Sequence, residues 1–267
     1  MMRVAYLMIA HDRPDLAVRL AGVLDGPVFV HVDSNVDPAP FEAAGQLVTP
    51  RVHPSWGSFG IVEATVTGMR SALREPFDRL MLLSGRDYPI KPTDVIHAEM
   101  EAQGSVIEFI RFPHPDWTGG GWPRIQRWNR PSGPSRKMIG MAALNARATI
   151  ETALRGQREA PSWPYGGSAW WCLDREAVEF IVASCDSDPH AFAFWHRVWF
   201  PDEIFFQTLL VESGLALTNR APSYMAWGSP GGLVAIGDVG ELRDIPHWFA
   251  RKFDDHETLD LVDSTLR

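Results

Sequence analysis

Apolar and polar residues fall in blocks along the first part of the chain. "RVAYLMIA" is an unbroken apolar run of strand length. Such a run marks a strand buried on both faces rather than one half-exposed to water. In the segment that follows, "HDRPDLAVRLAGVL", Leu16, Leu20 and Leu24 recur at helical intervals behind Pro14, which suits a helix start. The same pair of signals then repeats. "GPVFVHVDSN" predicts a second strand ending at Asp33, and "QLVTPRV" a short third. "FGIVEATVTGMRSALRE" is spaced as a helix at Ile61, Ala64, Val66, Met69 and Leu73. "RLMLLSGRDYPI" predicts a strand that breaks at Gly85, "PTDVIHAEME" a short helix and "SVIEFI" another strand. Strand and helix alternating in this way predict an α/β fold: a mostly parallel central sheet flanked by helices.

The rhythm breaks between Arg111 and about Ser162. "RFPHPDWTGGGWPRIQRWNRPSGPSRK" is dense in Pro, Gly, Trp and Arg. It reads as a long excursion, a lid or an acceptor wall, with "MIGMAALNARATIETAL" as a helix inside it. Regular signals then resume. "SAWWCL" predicts a strand, "DREAVEFIVAS" a helix capped by Asp174, and "PDEIFFQTLLVESG" a helix stopping at Gly214. The tail "HWFARKFDDHETLDLVDSTLR" carries a basic pair and then a terminal helix. No repeat or low-complexity linker divides the chain, so residues 1–267 are expected to form one domain carrying the 111–162 excursion.

Composition narrows the function. With 45% hydrophobic residues the chain can build a sizeable core, which excludes general disorder. A net charge of -8 argues against a nucleic-acid partner, yet a few cations suffice to hold a small anion. Cys172 and Cys185 belong to no paired metal motif and read as reduced thiols. The first apolar run is too short for a bilayer and is broken by His11 and Asp12. No other stretch reaches membrane length, so no transmembrane segment is expected. Eleven tryptophans are many for this length, and Trp56, Trp117, Trp122, Trp163, Trp227 and Trp248 sit in loop-like surroundings. Their flat apolar faces either stack on sugar rings or pack loops onto the core.

Ligands of open α/β sheets bind beyond the carboxyl ends of the strands. His11 and Asp12 follow the first strand, Asp33 the second, and Arg86 and Asp87 the run "LMLLSG". Each alone reads as a helix cap; three at strand ends point to a polar edge. "IAHDRPD" lacks the glycines of a dinucleotide loop, "GxxxxGK" is absent, and no nucleophile elbow surrounds Ser84 or Ser168. The one Asp-x-Asp string, in "CDSD" at Asp186 to Asp188, reads as an acidic turn, and Asp33 lacks a second carboxylate beside it. No metal-ligating residues are therefore expected. A diphosphate leaving without a divalent ion needs cationic side chains, and "FARKF" offers Arg251 and Lys252. In "WFPDEIFFQTLL", Pro201 at N1 puts Glu203 at N3 of a helix, where it is either a cap or an ionised base, with Asp202 the better cap or structural partner.

Taken in order from Ala5 to Asp254, a set of strings resembles the core-2/I-branching N-acetylglucosaminyltransferase and peptide O-xylosyltransferase family. They are "IAHDRPDLAVRLAGVL", "VFVHVDSN", "WGSFGIVEATVTGM", "LMLLSGRDYPIK", "GGSAWWCLDREAVEFI", "WFPDEIFFQTLL" and "HWFARKFD". The resemblance implies a GT-A type, Rossmann-like nucleotide-sugar-binding fold. It implies inverting transfer of a sugar, N-acetylglucosamine or xylose, from a UDP-sugar to a hydroxyl of a glycan, lipid-linked sugar or peptide. No metal or other cofactor takes part in that family. By the same resemblance Glu203 is the catalytic base. His11, Arg19, Asp33, Arg251 and Lys252 surround the donor nucleotide and its diphosphate, and Trp171, Trp227 and Asp87 lie on the sugar or acceptor side. The chain departs from the family where "SPGGLVAIGDVGEL", with Gly231 and Gly232, stands in place of a basic residue ahead of "GAGD". Arg243, Arg251 or an arginine of the excursion would have to replace that cation. Lacking the family's membrane anchor, stem and disulfides, the chain is expected in the cytoplasm or at the inner membrane face. Two other readings remain: a nucleotide-sugar or carbohydrate-binding protein without transfer, and a metal-dependent glycosyltransferase.

Overall fold

The computed structural model describes residues 2–129, 136–187, 189–228 and 232–267. Its strands, in chain order, are β1 (Val4–Ala10), β2 (Val28–Val32), β3 (Gln46–Leu47), β4 (Arg79–Ser84), β5 (Asp87–Pro89) and β6 (Ser105–Ile107). Then come β7 (Ile110–Arg111), β8 (Tyr165–Gly166), β9 (Trp171–Asp174), β10 (Leu217–Thr218), β11 (Ser223–Met225) and β12 (Phe249–Arg251). The α-helices are α1 (Pro14–Val23), α2 (Gly60–Ala72), α3 (Thr93–Ala102), α4 (Trp122–Gln126), α5 (Arg136–Arg155), α6 (Arg175–Ser187), α7 (Pro189–Trp195), α8 (Phe205–Ser213) and α9 (His256–Thr265).

Seven strands form the central sheet in the order β10-β6-β9-β4-β1-β2-β3. Every neighbouring pair is parallel except those made by β9, which runs against both β4 and β6. The fold is thus α/β with a mostly parallel sheet, as the block pattern predicts. All seven residues of β1 are buried. Because side chains alternate across a strand, Val4, Tyr6, Met8 and Ala10 enter one apolar layer with Leu16 and Leu20 of α1 and Leu259 of α9. Ala5, Leu7 and Ile9 enter the other with Val62, Val66 and Met69 of α2 and Phe206 of α8. That double burial is why the strand reads as a continuous apolar run. Gly68 lets α2 lie close to β1: a Cβ there would stand 2.2 Å from Leu7 Cδ1.

Three expectations change at their edges. The run after β4 does not simply loop, because β5 leaves the main sheet and joins β12 and β11 in a small sheet of its own. "SVIEFI" divides into β6 and β7, separated by Glu108 and Phe109. The helix expected from Pro201 begins later. Phe200 takes a left-handed conformation (φ 52), Pro201–Glu203 form one 3-10 turn, and Ile204 (φ -138) separates that turn from α8. Glu203 therefore does not occupy N3 of α8.

The excursion is anchored on the body at both ends. β7 and β8 pair across it, Arg111 opposite Tyr165. Phe112 and Ile125 are buried in the α2-side layer, and the Trp163 indole donates to the Phe112 carbonyl at 2.8 Å. Arg158, 8% exposed, donates to the carbonyls of Ile125 (3.1 Å) and Phe194 and lies on the Phe194 ring at 4.0 Å. Burial, with Arg197 nearby, pulls its pKa down to about 10.

Candidate active site

Since β1, β2, β4 and β6 run the same way, their carboxyl ends share one edge, and antiparallel β9 starts there. Polar residues collect along it. At the end of β2, Asp33 is 8% exposed and both its oxygens meet His53 Nδ1, at 2.8 and 2.9 Å. The Asn35 amide donates to Oδ1 at 2.9 Å. His31, two residues earlier, is fully buried; the Val52 amide donates to its Nε2 at 3.1 Å and burial lowers its pKa. At the end of β1, His11 is exposed and stands 3.7 Å from Asp12.

The β4 end is built around a buried ion pair. Antiparallel pairing of β5 and β12 sets Arg251 directly opposite Asp87. Asp87 Oδ2 lies 3.4 Å from Arg251 Nε and accepts from the Ser84 amide at 2.8 Å and from the Ser84 hydroxyl. Arg251 also donates to Ser84 Oγ at 3.2 Å and lies over the Trp170 ring, 4.1 Å from its centroid. Burial raises the Asp87 pKa while the Arg251 charge opposes the rise, and burial lowers that of Arg251 while Asp87 opposes the fall. The Asp87 side chain has no exposed surface. The expectation of Asp87 at the sugar is therefore corrected: it seats Arg251. The next residue, Lys252, is half-buried, and its ammonium has no hydrogen bond or ion pair among the described residues. Its carbonyl accepts from the Ile236 amide at 2.9 Å, which fixes the backbone beneath a free cation. Arg86 closes the same corner through Asp12 (3.3 Å), Asp254 and the Phe253 carbonyl (3.2 Å).

The second pair is open. The turn holding Glu203 is pinned by its own backbone: its amide donates to the Phe200 carbonyl at 3.2 Å, and its carbonyl accepts from the Gly167 amide at 2.9 Å. Its carboxylate, 30% exposed, pairs with Arg124 of α4, itself 33% exposed. Arg124 is braced over Trp117 (4.4 Å) and Phe200 (5.0 Å). The exposed Trp56 meets Phe200 edge-on at 4.7 Å, so an aromatic plate stands beside the Glu203 turn. Asp202 is not the helix cap that its position suggested; neither the turn nor α8 has a side-chain cap. It points inward, with Oδ1 buried and without a hydrogen bond. Burial first, and then the Glu203 charge, push its pKa up to about 7, against the pull of Arg124 and Arg251.

Two further expectations do not meet the edge as stated. Arg19 ties α1 to α9 through Asp260 (2.7 Å), Asp263 (2.8 Å) and the His256 carbonyl (3.1 Å), so its cation is already paired. Trp171 is 0% exposed and packs on Phe206, so it offers no face to a sugar; the neighbouring Trp170 is buried as well, with Arg251 over its ring. Trp227 is 62% exposed, on an isolated bridge to Leu233. Gly231 lies outside the described residues, as does Asp188 of "CDSD", whose Asp186 pairs with Arg70 at 2.6 Å. Among the described residues no three His, Cys, Asp or Glu side chains gather as metal ligands. Arg124 and His53 are the site residues that sequence reasoning missed.

Xylosyltransferase 1 of Homo sapiens and that of Pan troglodytes are each 25% identical to the chain over 244 residues. The match takes in 81% of this chain and 24% of theirs, so the chain spans about a quarter of the length of these relatives. Among solved structures, a mannose-1-phosphate geranyltransferase from Thermus thermophilus has a TM-score of 0.36 at 14% identity, covering 81% of this chain and 73% of that one. A nucleoside-diphosphate-sugar pyrophosphorylase from Vibrio cholerae has 0.37 at 9% identity, covering 80% and 89%. At those scores neither likeness carries weight. The family model of the Core-2/I-Branching enzyme matches residues 4–241, nearly the whole sheet and both carboxylate–arginine pairs' acidic members. The chain belongs to the Core-2/I-branching enzyme family of glycosyltransferases.

Proposed function

We propose that the protein is an inverting glycosyltransferase that moves a sugar from a UDP-sugar to a hydroxyl of a glycan, lipid-linked sugar or peptide, with Glu203 as general base. The observation that carries this reading is the state of Glu203. Its backbone is pinned, it caps no helix, and its carboxylate reaches the surface beside Arg124 and the rings of Phe200 and Trp56. In the reaction, Glu203 takes the acceptor hydroxyl's proton as that oxygen attacks the anomeric carbon. The bond from that carbon to the diphosphate oxygen breaks, and UDP leaves with the electron pair. Attack opposite the leaving group inverts the anomeric centre. Lys252 is the free cation for the departing diphosphate, and Arg251, held by Asp87, reinforces the field beneath it. These two supply the positive charge that a divalent ion otherwise brings, which is the basis for a metal-independent reaction. Asp33, oriented by His53, accepts a hydrogen bond from the nucleotide, and His11 flanks it at the end of β1. Trp56 and Trp227, both exposed, are the plates for sugar faces. N-acetylglucosamine and xylose are the donor sugars favoured by family and relatives. The experiment is acceptor-dependent UDP release with UDP-N-acetylglucosamine and UDP-xylose, in chelator, by the protein and by E203Q. Release that needs acceptor, survives chelation and collapses in E203Q supports the reading. Binding of donor with no release under any acceptor would favour a binding protein, and release that only Mn²⁺ restores would favour a metal-dependent enzyme.

A further inference from the structure

Charge is divided unevenly along this chain. Residues 111–162 hold nine Lys and Arg against three Asp and Glu, a net of +6, so the rest of the chain carries -14. A body this acidic is repelled by an anionic surface, whereas the excursion is drawn to one. Within the excursion, α5 presents a stripe at helical spacing: Ala143, Ala146, Ile150 and Leu154 all face solvent. Ile150 is 61% exposed and Leu154 82%, the highest value of any large apolar residue among the described residues. One helical turn apart, they form a shared apolar ridge. Arg147 stands exposed beside that ridge, Arg155 lies farther round on the same flank, paired with Glu151 at 3.4 Å and over the Trp128 ring, and the helix opens with the basic pair Arg136 and Lys137 in sequence. The opposite side of the helix is engaged, with Ala148 buried and the Thr152 hydroxyl accepting from the Trp128 amide at 3.1 Å. The exposed stripe is therefore an outward face of a helix that is fixed from behind.

We propose that this face of α5 docks the protein on an anionic lipid bilayer. Leu154 and Ile150 enter the boundary between headgroups and acyl chains, and Arg147 beside them meets the lipid phosphates. The charge complementarity selects this occupant over a second copy of the chain, since two copies would bring two basic excursions together. Docking is independent of the transfer reaction.

The test is sedimentation of the full chain with phosphatidylcholine vesicles, with and without phosphatidylglycerol. The expected result is partition onto the anionic vesicles alone, weakened by salt. R147Q should lower the partition about fivefold, the worth of roughly one surface cation. I150E/L154E should lower it more than tenfold. Both variants should keep the far-UV circular dichroism and any UDP release on a soluble acceptor, because neither touches the cleft. No partition, equal partition onto neutral vesicles, or partition indifferent to both variants would overturn the proposal. So would a dimer in light scattering that L154E dissolves while vesicles remain unbound.

Discussion

Asp87–Arg251 and Glu203–Arg124 are the same chemical pair, a carboxylate against a guanidinium, yet they sit in opposite environments. The Asp87 carboxylate has no exposed surface, its arginine is pinned by Ser84 and Trp170, and strand pairing sets the two residues opposite each other. Both members of the Glu203 pair are about a third exposed, and they come from segments brought together only by the fold. A carboxylate with no route to solvent cannot take a proton from an incoming hydroxyl; it can only hold its partner. A carboxylate at the surface, backed by a fixed turn, can exchange Arg124 for an acceptor. Burial, more than residue type, separates architecture from chemistry at this edge.

The comparison can be broken in order of effect. Replacing Glu203 by Gln should reduce acceptor-dependent turnover by roughly 10² to 10⁴-fold. Because the pair is partly exposed, the cost in stability should stay below about 1 kcal/mol. Replacing Asp87 by Ala should do the reverse first: it leaves Arg251 buried and unpaired, a loss of about 3–5 kcal/mol in urea unfolding. A D87A protein as stable as the parent would remove the architectural role. Lys252→Ala should weaken donor binding at least tenfold in calorimetry, the cost of one charge-assisted contact of about 1.5–3 kcal/mol, with unfolding unchanged.

Asp202 gives a pH prediction between the two pairs. Its folded pKa of about 7 stands above the ordinary carboxylate value near 3.9, so the folded state binds the extra proton in that window. Stability should therefore fall as pH rises from about 4 to about 7, with a slope approaching 1.4 kcal/mol per unit, roughly one proton's worth. Above that window the penalty is constant. D202N should flatten the profile and exceed the parent in stability at neutral pH. A D202N profile parallel to the parent's would show that another group carries the dependence.

Much of this was legible in sequence because it is local. A strand buried on both faces must be an unbroken apolar run, and β1 is one. Strand ends mark the ligand edge, so Asp33 could be named before its surroundings were known, and Arg251 and Lys252 stood out as the basic pair of "FARKF". What stayed hidden was long-range or a matter of phase. Arg124 meets Glu203 across 79 positions and His53 meets Asp33 across 20, distances at which no periodicity connects two residues. In "SAWWCL" two adjacent tryptophans look like candidate sugar plates, yet both are buried in the α2-side layer, and only the long-range packing shows it. Asp87 looked like a loop carboxylate because β5, three residues long, is too short to announce itself. The late start of α8 depends on the backbone at Ile204, which its side chain does not signal.

The central claim, that the open pair does the chemistry and the closed pair holds the scaffold, rests most directly on E203Q. UDP release with donor and acceptor present should be measured beside the urea midpoint of the same preparation. The account predicts release reduced by roughly two orders of magnitude or more at an essentially unchanged midpoint. Release at the parent's rate from an equally stable E203Q protein would contradict it.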